Sequence, residues 1–166
     1  MTIRIGQGVD VHAFATDDRP LVLGGVVIPG ATGLAGHSDA DVVLHAVVDA
    51  LLGAVAMGDI GGLVGVDEPE TKGADSATFV ARARERLTAD GWRTVNVDAT
   101  VLAQQPRLAA HIPSMRQATA EALGMPLDAV SVKATTTDRL GLVGRGEGIA
   151  CTAVVLVERL PGRAPD

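Results

Sequence analysis

Three of the chain's four histidines stand beside aspartates, in spacings that suit a divalent cation. Asp10-Val11-His12 sets a carboxylate and an imidazole two residues apart, and on a β-strand residues i and i+2 share one face. His37-Ser38-Asp39-Ala40-Asp41 opens a long apolar run that contains His45 and Asp49. On a helix, Asp41, His45 and Asp49 would fall at i, i+4 and i+8, a polar stripe on an otherwise apolar rod. Buried polar groups are costly unless something satisfies them. A metal ion held by Asp10, His12 and His45 would do so, and three protein ligands with an open position is how catalytic zinc is held. The same spacing also fits two core histidines hydrogen-bonded to Asp10 and Asp49. Asp41 and Asp49 are read either as groups that orient the imidazoles or as helix-surface carboxylates that meet another subunit.

Other segments carry polar groups suited to phosphate and sugar. His37-Ser38 falls at the expected N-terminus of the apolar helix, where free N–H groups attract anions; the alternative is an ordinary N-cap beside a loop histidine. Asp59-Ile60-Gly61 is either a sugar-hydroxyl contact or a plain turn. Thr135-Thr136-Thr137-Asp138 leads into Gly141-Leu142-Val143-Gly144-Arg145-Gly146-Glu147-Gly148. Hydroxyls, a carboxylate and close backbone suit phosphate oxygens and a hard cation, although Arg145 and Glu147 could instead pair with each other. Ala103-Gln104-Gln105-Pro106-Arg107 is either a nucleobase pocket or a connection. His111 and Cys151 are read as structural, Cys151 as a small buried hydrophobe.

Composition narrows the setting. With 166 residues, 47% hydrophobic and 20% charged, the chain is expected to form one globular domain over residues 1–160, followed by a disordered tail over residues 161–166. Aromatics make up only 2%, so Ala, Val, Leu and Ile must build the core. A net charge of −6 argues against nonspecific nucleic-acid binding. An acidic protein that handles phosphates needs local cations, which metal ions can supply. A single cysteine excludes an intrachain disulfide, no signal peptide is evident, and the apolar run from Val42 to Met57 is too short and too polar to span a membrane. The expected compartment is the cytoplasm.

These residues must be positioned by regular elements. Residues 3–12 read as a strand. Residues 21–23 and 26–28, separated by Gly24-Gly25, read as a hairpin. A helix is expected from a Ser38 or Asp39 cap to about Met57, and residues 63–75 read as a Gly-, Pro- and acid-rich surface loop. A second helix is expected over 76–90, stopped by Gly91, and a strand over 94–104. A third helix fits 113–123, with Pro113 in its first turn and Gly124 as its stop. Strands over 130–136 and 149–159 flank a glycine-rich loop. This order predicts an α/β sandwich: a mixed sheet with helices on one face. The other face then needs a cover, which other subunits would supply.

Taken in order along residues 5–157, the segments Gly8-Val9-Asp10-Val11-His12, His37-Ser38-Asp39-Ala40-Asp41, Leu44-His45-Ala46, Gly58-Asp59-Ile60-Gly61, Lys72-Gly73-Ala74-Asp75-Ser76, His111-Ile112-Pro113, Lys133-Ala134-Thr135-Thr136-Thr137 and Gly144-Arg145-Gly146-Glu147-Gly148 make the sequence resemble the 2-C-methyl-D-erythritol 2,4-cyclodiphosphate synthase family of the non-mevalonate isoprenoid pathway. The resemblance implies a homotrimer with active sites between subunits. It implies cyclisation of 4-diphosphocytidyl-2-C-methyl-D-erythritol 2-phosphate with release of CMP. By family pattern, Asp10, His12 and His45 match ligands of zinc or another divalent transition metal, and Asp138 falls near a bound Mg²⁺ or Mn²⁺. His37 and Thr136 match the positions that stabilise the transition state. Asp10, His12, His37 and Ser38 match substrate contacts, as do Asp59, Ile60 and Gly61. Ala103, Gln104, Pro106, Arg107, Leu108 and Ala109, with Thr135, Thr136, Thr137 and Asp138, match the cytidine and diphosphate segments. Arg145 and Glu147 match positions near the trimer axis, where a cavity in relatives can hold a prenyl diphosphate, and Leu142 falls at that cavity.

Three departures stand out. Relatives carry Phe-Pro-Asp-Thr-Asp-Pro where this chain has Val64-Gly65-Val66-Asp67-Glu68-Pro69, often Glu in place of Asp138, and often Phe in place of Leu142. Two other classes compete with the cyclase: a trimeric nucleotide-binding or sensor protein without chemistry, and a zinc phosphohydrolase.

Overall fold

The computed structural model describes residues 2–65 and 73–161. Its elements follow the order β1 (Ile3–Ala13), β2 (Pro20–Leu23), β3 (Val26–Thr32), α1 (Val42–Ala54), α2 (Ile60–Val64), α3 (Ser76–Ala89), β4 (Trp92–Leu102), α4 (Ile112–Leu123), β5 (Val130–Thr135), α5 (Gly141–Gly144) and β6 (Gly148–Arg159). A 3₁₀ turn, Leu127–Ala129, precedes β5.

The main sheet has the strand order β1-β6-β4-β5. β6 runs antiparallel to both β1 and β4, while β4 and β5 are parallel and joined through α4. The sheet is therefore mixed, as expected. α1 packs on β1, β6 and β4, α3 on β4, and α4 on β5. Side-chain alternation explains this arrangement. Along β6, Ile149, Cys151, Ala153, Val155 and Val157 are buried beneath the helices, while Val154 faces away and is exposed. Along β1, Gly6 and Gly8 face α1, whereas Ile3, Ile5, Val9 and Val11 stand exposed on the opposite face.

α1 is apolar nearly all round and is buried over most of its length, as such a helix must be. Its cap differs from the expected one. Asp41, not Ser38 or Asp39, is the N-cap, and the helix ends at Ala54. The Asp41 carboxylate accepts the amides of Val43 and Leu44, and also those of Gly24 and Gly25 in the β2–β3 turn. Those glycines have φ of 58° and 75°, the left-handed pair that a two-residue hairpin turn requires. One buried carboxylate thus fastens the hairpin to the start of α1. Asp41 neither orients an imidazole nor lies on a surface. Asp49 likewise turns to backbone, accepting the Ile60 amide at 2.8 Å. The predicted stripe therefore reduces to His45.

The tail residues 162–166 and residues 66–72, which include positions 66–69 of the departing segment, lie outside the described residues. Among the described residues, no helix is long and apolar enough to cross a membrane.

Candidate active site

Asp10 and His12 point from β1 to the face that receives α1, and His45 meets them from the helix. The Asp10 Oδ2 atom lies 3.1 Å from His12 Nε2 and 3.0 Å from His45 Nδ1. One atom from each residue falls within 4.8 Å of the other two. The outward ring nitrogens are already engaged. His12 Nδ1 meets the Ala35 carbonyl, and His45 Nε2 lies 2.9 Å from Ser76 Oγ and 3.2 Å from Ser38 Oγ. Each imidazole thus has one nitrogen held by protein and one turned inward. A carboxylate oxygen and two imidazole nitrogens form a donor set that fits zinc or a similar divalent transition metal.

Charge reinforces this grouping. Burial opposes ionisation of Asp10, but hydrogen bonds from His12 and His45 outweigh it and hold the carboxyl well below its ordinary range. The hydrogen bond to Asp10 raises His12 above the ordinary imidazole value, against its own desolvation. The site holds a carboxylate poised against two imidazoles, an arrangement a cation can replace.

A cavity of about 230 Å³ adjoins the triad and is lined by Asp10, His12, His37, Ser38, His45, Ile60, Gly61, Val64, Gly65 and Phe79. The sequence-predicted His37, Ser38, Ile60 and Gly61 therefore meet the metal residues. His37 and Ser38 do so from a loop four and three residues before the Asp41 cap, not from a helix N-terminus. That anion-site reading is corrected, because Asp41 fills the first free amides of α1 itself. Asp59 lies just outside this lining and caps α2 by accepting the Gly62 amide at 2.9 Å. Phe79 was not foreseen. It sits on α3, its ring centroid 6.3 Å from that of His45, and it closes the apolar side of the cavity.

A second cavity, about 490 Å³, lies at the other edge of the sheet. Residues 103–104 and 106–109 line it together with Lys133, Ala134, Thr135 and Thr136. The two segments meet because β4 and β5 are parallel neighbours and end together, with Leu102 opposite Thr135. Beyond it, Gln104 Oε1 accepts the Arg139 amide at 3.1 Å, Thr137 Oγ1 donates to the Leu140 carbonyl, and Thr136 Oγ1 donates to Asp138 Oδ1 at 3.2 Å. Asp138 is exposed, with φ of 49°. Arg145 pairs with Glu147 at 2.6 Å, the internal pairing that the sequence left open. Leu142 is exposed on α5.

Within one chain the two cavities do not meet. β1 and β5 are separated by β6 and β4, so the sheet alone sets them apart by about 14 Å, at roughly 4.8 Å per strand spacing. His37 and Thr136 therefore stand at opposite edges.

The profile of the YgbB family matches residues 3–158. A 2-C-methyl-D-erythritol 2,4-cyclodiphosphate synthase from Marinobacter nauticus is 54% identical over 94% of this chain and 98% of its own length. One from Escherichia coli is 56% identical over 93% of this chain and 97% of its own. Among solved structures, the bifunctional IspDF of Campylobacter jejuni superposes with a TM-score of 0.91 at 38% identity, covering 96% of this chain. This chain spans 43% of that longer protein. A CDP complex of Plasmodium falciparum IspF superposes with a TM-score of 0.82 at 33% identity, over 95% of this chain and 97% of that one. On the match across nearly its whole length, the chain belongs to the YgbB family.

Proposed function

We propose that this protein is a cyclising phosphorus–oxygen lyase, a 2-C-methyl-D-erythritol 2,4-cyclodiphosphate synthase. It converts 4-diphosphocytidyl-2-C-methyl-D-erythritol 2-phosphate to the 2,4-cyclodiphosphate and CMP. The observation that carries this reading is the convergence of Asp10, His12 and His45 beside a cavity that His37 and Ser38 also line. Residues 1–160 act as one domain.

An oxygen of the 2-phosphate attacks the β-phosphorus. A new P–O–P link closes the ring, and the β-phosphorus parts from its bridging oxygen, which leaves with CMP. No group on the protein is consumed. Like-charge repulsion between phosphates in an acidic chain is the main obstacle, so the work is positioning and charge stabilisation. When bound, zinc on Asp10, His12 and His45 and magnesium or manganese near Asp138 supply the positive charge that phosphate oxygens require. His37 and Thr136 donate hydrogen bonds to oxygens that gain charge in the transition state. Ser38 holds the phosphate side, and Asp59, Ile60 and Gly61 hold the erythritol. Residues 103–104 and 106–109 and Thr135 to Asp138 hold the cytidine and its diphosphate, a reading supported by the CDP complex of the P. falciparum relative.

This assignment needs more than one chain, because His37 and Thr136 occupy opposite sheet edges. A homotrimer that places the β5 edge of one subunit against the β1 edge of the next completes each site. It also covers Ile5, Val9, Val11 and Val154, each worth on the order of 1 kcal/mol when removed from water. Arg145 and Leu142 then approach the trimer axis and are placed to meet a prenyl diphosphate. The enzyme works in the cytoplasm, apart from nucleic acid and membrane.

The test is product identity. With Mg²⁺ and the diphosphocytidyl substrate, the purified protein releases CMP and the cyclic diphosphate in equal amounts. His45→Ala abolishes this and leaves the trimer intact. Inorganic phosphate as product would favour a phosphohydrolase, and binding without CMP release would favour a sensor.

A further inference from the structure

We infer that Asp39 and Ser76 are positioning residues for His45: an Asp39–Ser76–His45 chain keeps Nε2 as the donor nitrogen of the imidazole and so leaves Nδ1 as the nitrogen that takes a metal. The inference rests on the metal-site reading of Asp10, His12 and His45.

Ser76 is the first residue of α3 and is fully buried. Its amide donates to Asp39 Oδ2 at 3.0 Å, and its hydroxyl donates to Asp39 Oδ1. Asp39 Oδ1 also accepts the Asp41 amide at 3.3 Å. An ionised carboxylate only accepts, and a hydroxyl has one proton to give. That proton is committed to Asp39. Ser76 Oγ therefore presents a lone pair to His45 Nε2, 2.9 Å away. Two lone pairs at that distance repel, so Nε2 carries the proton. Ser38 Oγ, 3.2 Å from the same nitrogen, already accepts the Ala40 amide and serves as a second acceptor. With Nε2 committed as a donor, Nδ1, which meets Asp10 Oδ2 at 3.0 Å, is the nitrogen left to exchange its hydrogen bond for a metal.

His12 reaches the same state by other means. Its outward Nδ1 meets a backbone carbonyl, that of Ala35, which can only accept. One ligand histidine is thus set by backbone and the other by two side chains. Only the second arrangement can be removed by mutation. None of the three metal residues comes from α3, yet through Ser76 this helix holds one of them in place.

The test measures zinc binding to metal-stripped protein by competition with a chromophoric chelator. Ser76→Ala and Asp39→Asn each weaken zinc by about 10–100-fold, the usual loss for a group that orients a ligand histidine. Because both act through one chain, the double variant is no weaker than the weaker single one. Ser76→Thr, which restores a hydroxyl, restores affinity. Ser76→Ala keeps the Asp75 cap of α3, so its melting curve stays near that of wild type and the test stands even if Asp39→Asn unfolds. Wild-type zinc affinity in Ser76→Ala, or losses that add in the double variant, overturns the inference. Failure of the wild-type protein to bind zinc overturns the metal-site reading instead.

Discussion

Gly8 on β1 lies so close beneath Ala46 on α1 that a Cβ on Gly8 would stand 2.0 Å from the Ala46 carbonyl oxygen. Gly6 meets Ala50 in the same way, at 1.9 Å. Backbone thus touches backbone where the strand passes under the helix. This contact sets the depth at which Asp10 and His45 meet, since each lies within two residues of it. Gly8→Ala must push α1 off the sheet, because neither contacting atom belongs to a flexible side chain. The expected cost is about 3 kcal/mol or more, seen as a lower urea midpoint. Zinc affinity should fall with it. An unchanged midpoint would mean that the helix and strand can part without penalty.

Asp41 is the second structural prediction. Its two oxygens take four amides from two separate segments. Asn offers one acceptor oxygen and turns an NH₂ toward amides that also donate. Asp41→Asn should therefore cost about 2–4 kcal/mol, since buried donors left unpaired cost about 1–3 kcal/mol each. The hairpin and the start of α1 should lose hydrogen-exchange protection together, while α4 keeps its own. Loss confined to the helix would show that the hairpin is held by apolar packing alone.

The sheet and most helix boundaries were legible because they follow from local rules. The shared face of Asp10 and His12 on β1, the Gly24-Gly25 turn, Gly91 after α3 and Gly124 after α4 all act within a few residues. The start of α1 was misread for a physical reason. Ser38, Asp39 and Asp41 are all competent caps, and the choice among them is made by Gly24 and Gly25, far away in sequence. The metal triad was legible because a strand places i and i+2 together and the family pattern supplies the partner. Phe79 and Ser76 were invisible as site residues, since each reads locally as part of an ordinary amphipathic helix. Only the packing of α3 against α1 turns them toward His45.

Acid should weaken the metal. Hydrogen bonding to Asp10 raises His12 above its ordinary value of 6.5, and zinc must displace that proton. Below the raised value, zinc affinity should fall about tenfold per pH unit for each proton displaced, and above it the dependence should flatten. The metal-free fold has its own profile. His12, raised, stabilises the fold at low pH and loses that effect as pH rises through its folded value. Asp10, lowered, stabilises it above about 3.8 and loses that effect as pH falls through its own. The pair therefore helps most between the two ordinary values, and chelator-treated protein should show a shallow stability maximum there. A zinc affinity independent of pH between 5 and 8, titrated by the same chelator competition, would contradict the triad.

The separation of the two cavities yields the sharpest test. If each active site takes its metal residues from one subunit and Thr136 from the next, a variant lacking either half is inactive as a homotrimer. His45→Ala removes the first half and Thr136→Val the second. A mixed trimer contains one interface where an intact β1 edge from the Thr136 variant faces an intact β5 edge from the His45 variant. That interface is a whole site. Co-expression of the two inactive variants, or their mixing after mild dissociation, should restore CMP release to a fraction of wild type, up to about one site in three by the symmetry of a closed ring. Sites wholly within one chain would leave every mixture inactive, because each chain would carry its own lesion.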